Sequence, residues 1–283
     1  MTKKLGLVTV LYNSPDVLDD FFRSIASQEY TNFHLYVVDN SSIPEPLAKS
    51  RQLACEYKIP CTFIDNQGNN LGVAAGNNQG ISAALNDNVD VIGLINNDLI
   101  FDHPTVFSSL IDTLSSGQNI VSPIIYAFPS DEIWYDNGYF DLMKGTTPHS
   151  GRSEKKIPYA PTCFLLVNKK VITDTGLMDE KYFAYYDDSD FVFRAHKAGY
   201  SVFVNTQASI QHKVSTSTGG TESPFSLYYG TRNRLYFIKK NTNGTTKCIA
   251  YLYTMMTRSM YLLKPRLENK KSIVKGIVDF LRM

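Results

Sequence analysis

Four apolar runs in the first hundred residues constrain this chain more than any other feature. They are Leu5–Leu11 (LGLVTVL), 33–38 (FHLYVV), 61–64 (CTFI) and Val91–Ile95 (VIGLI). Each reads as a strand, and the stretches between them carry apolar residues at helical spacing. Val17, Leu18, Phe21, Phe22 and Ile25 form one such face, after Ser14 as N-cap and Pro15 as first helical residue. Residues 47–57 predict a second helix. Residues 73–85 predict a third, rich in Ala and Gly, whose small side chains allow close backbone approach. Strands alternating with helices predict a parallel sheet covered on both faces. Runs with so few polar interruptions are what a strand buried on both sides needs.

Beyond Asp98 the alternation weakens. The pattern predicts a helix at 105–114, a strand at 120–125, a loop or hairpin excursion at 130–152 and a strand at 162–167. A short helix at Lys169–Thr175 follows, ended by Gly176, then a helix at 191–198 closed by Gly199. Short strands at 201–205 and 209–212 lead into a Ser/Thr/Gly loop at 213–222. The rest reads as helices with a break at 241–246. The expected division is an α/β domain at 1–224 and a helical extension at 225–283.

The strand ends are polar. Asp39 closes the second strand, a Gly/Asn loop from Asn66 to Gly72 follows the third, and Asn96-Asn97-Asp98 closes the fourth. Any one of these is ordinary turn or cap chemistry. Together they predict a cleft, because open α/β sheets bind ligands at the carboxyl ends of their strands. Asp98 suits a hard divalent cation, Mg²⁺ or Mn²⁺, completed by phosphate oxygens and water. His212, at a strand end before the 213–222 loop, is the best second ligand, and imidazole suits Mn²⁺ better than Mg²⁺. Asp187-Asp188-Ser189-Asp190 is a crowded carboxylate cluster. A helix beginning at Phe191 would offer it a positive end. Asp190 then pairs with Arg194 one turn on, which leaves Asp188 as the candidate base.

Taken in order, these motifs resemble those of the family 2 glycosyltransferases of the GT-A fold. The likeness is nearest to bacterial rhamnosyltransferases of surface polysaccharide and O-antigen assembly. It rests on VTVLYNS, VVDNSS, NNLGVAAGNNQGI, LINND, GLMDEKYFAYYDDSDFVFRAHKAGY, QHKVSTSTGG and YYGTRNRLYFIKK, and covers roughly residues 5–240. The resemblance implies a mostly parallel, Rossmann-like central sheet flanked by helices, and an inverting, metal-dependent sugar transfer. It implies that Asp39 reads the base of a sugar nucleotide, that Asn69, Gly72 and Asn77 flank the nucleotide, and that Asn96 and Asn97 touch ribose or phosphate. The family's DxD motif has Asn at its first position here, so Asp98 is its one metal-binding carboxylate, with His212 completing the site. Asp188 matches the general base. Asp187 stands where Glu is common, which leaves open which of the two carboxylates acts. Arg232 and Asn233 match a pair that touches phosphate or acceptor.

The implied donor is a nucleoside-diphosphate sugar, with dTDP-rhamnose favoured over UDP-linked galactofuranose or another hexose. The implied acceptor is a saccharide, lipid-linked or free. A nucleotidyltransferase is a weaker alternative, since Tyr12-Asn13-Ser14-Pro15 stands where its basic phosphate loop belongs. An inactive sugar-nucleotide-binding protein is weaker still, because Asp98, Asp188 and His212 are all present.

Charge decides among partners. A net charge of +1 gives no global field for nucleic acid. From Lys239 onward, however, ten basic residues face only Glu268 and Asp279, which predicts an anionic partner for the tail. Residues 249–263 are apolar and aromatic. They suit a membrane surface, packing on the core, or a homo-oligomer contact. The four cysteines have no metal spacing and fit a reducing compartment. The N-terminus lacks a signal-peptide pattern, and no run of about 18 uncharged apolar residues is present. The expectation is a cytoplasmic protein, with peripheral contact on the inner membrane face open.

Overall fold

The computed structural model describes residues 2–213, 220, 222–263 and 267–283. The first hundred residues fold as their periodicity requires. Strands β1 (Leu5–Leu11), β2 (Phe33–Asp39), β3 (Cys61–Asp65) and β4 (Val91–Ile95) alternate with helices α1 (Leu18–Ala26), α2 (Glu45–Glu56) and α3 (Val73–Asn86). Every residue of β4 is buried. Full burial of each large aliphatic side chain contributes roughly 1.5–3 kcal/mol, so this strand is one that the core cannot lose. Gly93 is its narrow point, because a Cβ there would lie 2.7 Å from Leu7 and 2.8 Å from Leu166.

The chain continues through β5 (Leu99–Ile100), α4 (Val106–Ser115), β6 (Ile120–Ala127), β7 (Glu132–Tyr135), β8 (Gly138–Tyr139) and β9 (Pro158–Tyr159). Next come β10 (Phe164–Asn168), α5 (Lys169–Thr175), α6 (Asp187–Lys197) and β11 (Val202–His212). Three helices close the chain: α7 (Pro224–Asn241), α8 (Gly244–Leu262) and α9 (Leu267–Leu281).

The main sheet has the order β3-β2-β1-β4-β10-β6-β11-β5, with β7 on β6, and β8 pairs β9 separately. β3, β2, β1 and β4 are mutually parallel. β10 runs antiparallel between β4 and β6, and β11 is parallel to β6. Two reversals restore direction, so the carboxyl ends of β1–β4, β6 and β11 share one edge with the amino end of β10. That edge gathers the polar strand ends.

Several local expectations are corrected. The carboxylate cluster does not precede its helix. α6 begins at Asp187, so all four residues form its first turn. The two strands expected at 201–212 are one, β11, with a register irregularity between Asn205 and Ser209. Ser14 does not cap with its side chain but donates to Tyr12 O at 3.0 Å, and Pro15–Val17 form a 3₁₀ turn before α1. Of the loop expected at 213–222, residues 214–219 and 221 lie outside the described residues.

The expected division at residue 224 falls where α7 begins. Tyr236 and Phe237 of α7 belong to the main apolar cluster. Phe237 stacks on Phe140 with ring centroids 6.1 Å apart. Among the described residues, no helix is long and apolar enough to cross a membrane.

Candidate active site

β5 is only two residues long, yet it fixes the geometry of the shared edge. In its antiparallel ladder His212 stands opposite Leu99, directly after Asp98. The ladder is extended by Lys213 N donating to Asp98 O at 2.9 Å. His212 Nε2 therefore sits 3.2 Å from Asp98 Oδ1, with both residues buried. His212 Nδ1 is buried with no hydrogen-bond partner among the described residues.

These two donors fit a hard divalent cation. Neighbouring ligands of an octahedral ion with bonds near 2.1 Å are about 3 Å apart, close to the spacing seen. No group of three or more His, Cys, Asp or Glu side chains gathers for a metal among the described residues. A cation that keeps waters and takes substrate phosphate oxygens needs only one or two protein ligands.

A chain of rings leads from this pair to the carboxylate cluster. Trp134 of β7 packs edge-on against His212, 4.9 Å between centroids, and against His149 at 4.3 Å. His149 Nδ1 lies 3.2 Å from Trp134 O, and its ring stacks on Tyr159 at 6.0 Å. Tyr159 Oη donates to Asp188 Oδ2. Burial, and then the charge of Asp188, pushes the Tyr159 hydroxyl well above its ordinary range, so it keeps its proton. Burial lowers His149, which favours its neutral form. Cys163, at the amino end of β10, is pushed up by burial and then by the charges of Asp98 and Asp188.

Within the cluster the carboxylates have separate environments. Asp190 is fully buried and held by Arg194 Nε at 2.8 Å, Lys240 Nζ at 2.9 Å and Asn241 Nδ2 at 2.9 Å. Asp187 is buried, and burial followed by repulsion from Asp188 pushes it up to about 8. Asp188 alone of the three is partly accessible. Its Oδ1 accepts from Ser189 N at 2.5 Å and Ser189 Oγ at 3.1 Å. A partly accessible carboxylate held by neighbouring donors is a group that can act as a general base.

The turn that delivers α6 is strained. Tyr185 and Tyr186 both have left-handed backbones, φ 65° and 67°, a conformation that costs of order 1 kcal/mol or more for each non-glycine residue. Asn233 holds it. Its Nδ2 donates to Ala184 O at 2.6 Å and Tyr185 O at 3.0 Å, while its Oδ1 accepts from Arg232 Nε at 2.8 Å. Fully buried, with its side-chain amide bonded throughout to the protein, Asn233 is placed to hold the turn rather than to face a ligand. Arg232 is engaged on the α7–α9 side. It stacks on Tyr229 at 4.9 Å, donates to Lys181 O at 2.9 Å and lines a groove with Tyr228, Asp279 and Arg282.

On the β1–β3 side, Asp39 is buried at the end of β2 and accepts from Ser41 N at 3.0 Å. Asn69 is exposed and donates to Asn66 O at 2.9 Å. Gly72 caps the start of α3 with φ +89°, and a Cβ there would meet Phe183 O at 2.6 Å. The α3 N-terminus therefore packs directly on the segment leading to Tyr185. Asn77 is buried in α3. Its neighbour Asn78 makes the cross-link, donating to Met178 O at 2.9 Å and accepting from Met178 N at 2.9 Å. Asn96 is exposed, with its N–H bonded to Cys163 O at 2.7 Å, and Asn97 is buried. The edge thus gathers Asp39, Asn96, Asn97, Asp98 and His212, with Asp187 and Asp188 joined to it through the rings. Trp134, His149 and Tyr159 escaped the sequence reading. The lone tryptophan was their one visible signal, in a segment read as a loop or hairpin.

Comparison with known proteins places the fold and the family. Over 264 residues the chain is 25% identical to the low-salt glycan biosynthesis hexosyltransferase Agl10 of Haloferax volcanii, covering 91% of this chain and 82% of the relative. The mannosyltransferase PcManGT of Pyrobaculum calidifontis, solved with GDP-Man and Mn²⁺, superposes with TM-score 0.64 at 13% identity over 99% of this chain and 81% of that one. S. aureus TarS residues 1–349, solved with UDP-GlcNAc, gives TM-score 0.65 at 15% identity, covering 99% and 81%. The shared architecture is the GT-A fold. The family model described as glycosyl transferase family 2 matches residues 7–176. That match spans more than half of the chain, and the protein belongs to this family of glycosyltransferases.

Proposed function

We propose that the protein is an inverting, metal-dependent glycosyltransferase. It moves a hexose, with L-rhamnose on dTDP the favoured donor, to a saccharide acceptor of surface polysaccharide. The observation that carries this reading is the pairing of Asp98 with His212 at 3.2 Å on the strand-end edge that the ring chain ties to Asp188. When bound, a divalent cation held by Asp98 and His212 supplies charge neutralisation for a leaving diphosphate.

Asp188 accepts the proton of the acceptor hydroxyl. That oxygen attacks the anomeric carbon from the face opposite the diphosphate. The bond from carbon to diphosphate oxygen breaks, and configuration inverts. Tyr159 and Ser189 hold the Asp188 carboxylate in place, and Asn233 holds the turn before it. The buried ends of β1–β4 frame the nucleotide, with Asp39 toward the base and Asn96 and Asn97 toward ribose and phosphate.

A second donor reading is favoured by the relatives. Agl10 is named a hexosyltransferase, and the two structural neighbours carry GDP-mannose and UDP-GlcNAc. One screen separates the readings. Nucleoside diphosphate release is measured across dTDP-rhamnose, UDP-galactofuranose, GDP-mannose and UDP-GlcNAc, with Mn²⁺, with Mg²⁺ and with EDTA. The reading expects fastest release from dTDP-rhamnose and loss of release in EDTA. Equal release in EDTA would overturn the metal assignment, and preference for another donor would replace rhamnose.

A further inference from the structure

We propose that the outward face of α8, extended by α9, docks the protein on an anionic membrane surface. Helices of water-soluble proteins turn their apolar stripe inward, and α8 does the opposite. The face it packs inward holds Ala250 and Thr254, both fully buried. Its outward stripe is Ile249, Leu252, Met256, Met260 and Leu263, with Leu252 72% and Leu263 86% exposed. At 100° per residue these five fall within one narrow sector, and they run for about 21 Å along the helix. Met255, 41% exposed, borders the stripe, and Cys248 and Ser259 are the other residues exposed between 248 and 263. The one charge in that stretch, Arg258, is turned inward, with Nη2 3.4 Å from Gly230 O and its guanidinium over Tyr261. An exposed apolar stripe of this length marks an interaction surface.

The charge around it selects the occupant. α9 packs Ile273 and Gly276 inward, Gly276 against Tyr228 O. Outward it shows Val274 and Val278 beside Lys271. Arg258 and Lys240 are turned to the protein, but Lys239, Lys271, Lys275 and Arg282 are exposed, and Asp279 is already engaged by Tyr228 and Lys275, each at 2.8 Å. A second copy of this chain would bring two cationic faces together. An anionic lipid surface accepts the apolar stripe and the lysines at once. Tyr251, Tyr253 and Tyr261 flank the stripe half-buried, as amphipathic rings do at a membrane interface.

A relay of contacts ties α8 to the turn before the proposed base. Tyr253 of α8 carries the Arg234 guanidinium 5.3 Å from its ring centre, and Arg234 Nε donates to Lys144 O at 3.1 Å. The next residue, Gly145, accepts from Tyr186 Oη at 2.9 Å, in the turn before Asp188. If the transferase reading holds, this arrangement suits an acceptor carried by a lipid.

The test is flotation of the full chain, without sugar nucleotide, on mixed phosphatidylglycerol–phosphatidylcholine vesicles and on pure phosphatidylcholine vesicles. The expected result is flotation with the anionic vesicles that weakens as salt rises. Leu252→Ser with Met256→Ser should lower the partition coefficient by about tenfold or more. Their thermal unfolding should be unchanged, since neither side chain is buried. Lys270→Glu with Lys271→Glu should also lose binding to the anionic vesicles. No flotation, or flotation indifferent to both variant pairs, would overturn the proposal. So would a dimer in solution that Leu252→Ser with Met256→Ser dissociates, which would make this face a self-contact. The readout uses no donor, so a failed donor screen leaves it standing.

Discussion

Two adjacent carboxylates in α6 divide the labour by burial. Asp188 reaches an accessible face with its oxygens held by Tyr159 and Ser189, while Asp187 lies inside against it. General base catalysis contributes roughly 10²–10⁴-fold, so Asp188→Asn should lose about that factor in kcat while donor affinity stays near wild type. Steady-state kinetics beside a nucleotide titration would check this, and a turnover near wild type would remove Asp188 from the role. Asp187 makes a different prediction. Its carboxyl is raised to about 8 by burial and by Asp188, against about 3.9 in an unfolded chain. Between these values the folded state holds the extra proton. Its contribution to stability is therefore full below the unfolded value and is lost as pH rises through the folded one. Asp187→Asn cannot ionise, so it should melt at a higher temperature than wild type at about pH 9 and gain little at about pH 5. Thermal melts at the two pH values read the difference directly.

Helix α7 acts on the site without touching its chemistry. Asn233 spends both amide hydrogens on the carbonyls of Ala184 and Tyr185, just ahead of α6. Asn233→Ala would strand those carbonyls, at a cost of roughly 1–3 kcal/mol for each one left buried. The expected result is a lower denaturant midpoint and about a tenfold fall in kcat, because a misplaced base is inefficient, with donor affinity kept. The β1–β4 half of the molecule was legible in the sequence because its strands are continuous apolar runs and its helices have one apolar face. The later half was less so, for physical reasons. β5 and β9 are two residues each, too short to carry a period. The first turn of α6 is three aspartates and a serine, a composition that favours caps and turns over helix interiors. Tyr159 and Asp188 lie 29 residues apart and meet only through tertiary folding. Asp98 and His212 were legible as types of residue, but their 3.2 Å pairing depends on the unpredicted β5–β11 ladder.

At the scale of the whole molecule, the C-terminal helices are tied to the catalytic half rather than appended to it. Lys240 bridges Asp179 at 2.6 Å and Asp190 at 2.9 Å, and Asn241 bonds Asp190 from the same helix end. A chain ended at residue 224 would leave Asp190 buried without those partners and uncover Phe140 and Phe193, which pack on Phe237. It should show no cooperative unfolding transition, as read by circular dichroism against the full chain; a sharp transition would establish 1–224 as an independent folding unit. The ring chain that spans the site has a further consequence. Trp134 is the only tryptophan in the protein, and its indole packs against both His212 and His149. Excited at the red edge of the absorption, where the eighteen tyrosines no longer absorb, the protein's fluorescence is thus a report from one place. Paramagnetic Mn²⁺ arriving at Asp98 and His212 should quench it and EDTA should restore it, while Asp98→Ala should leave it dark to the titration. On the proposed metal site, that emission would be an optical gauge of occupancy, readable before any sugar is transferred.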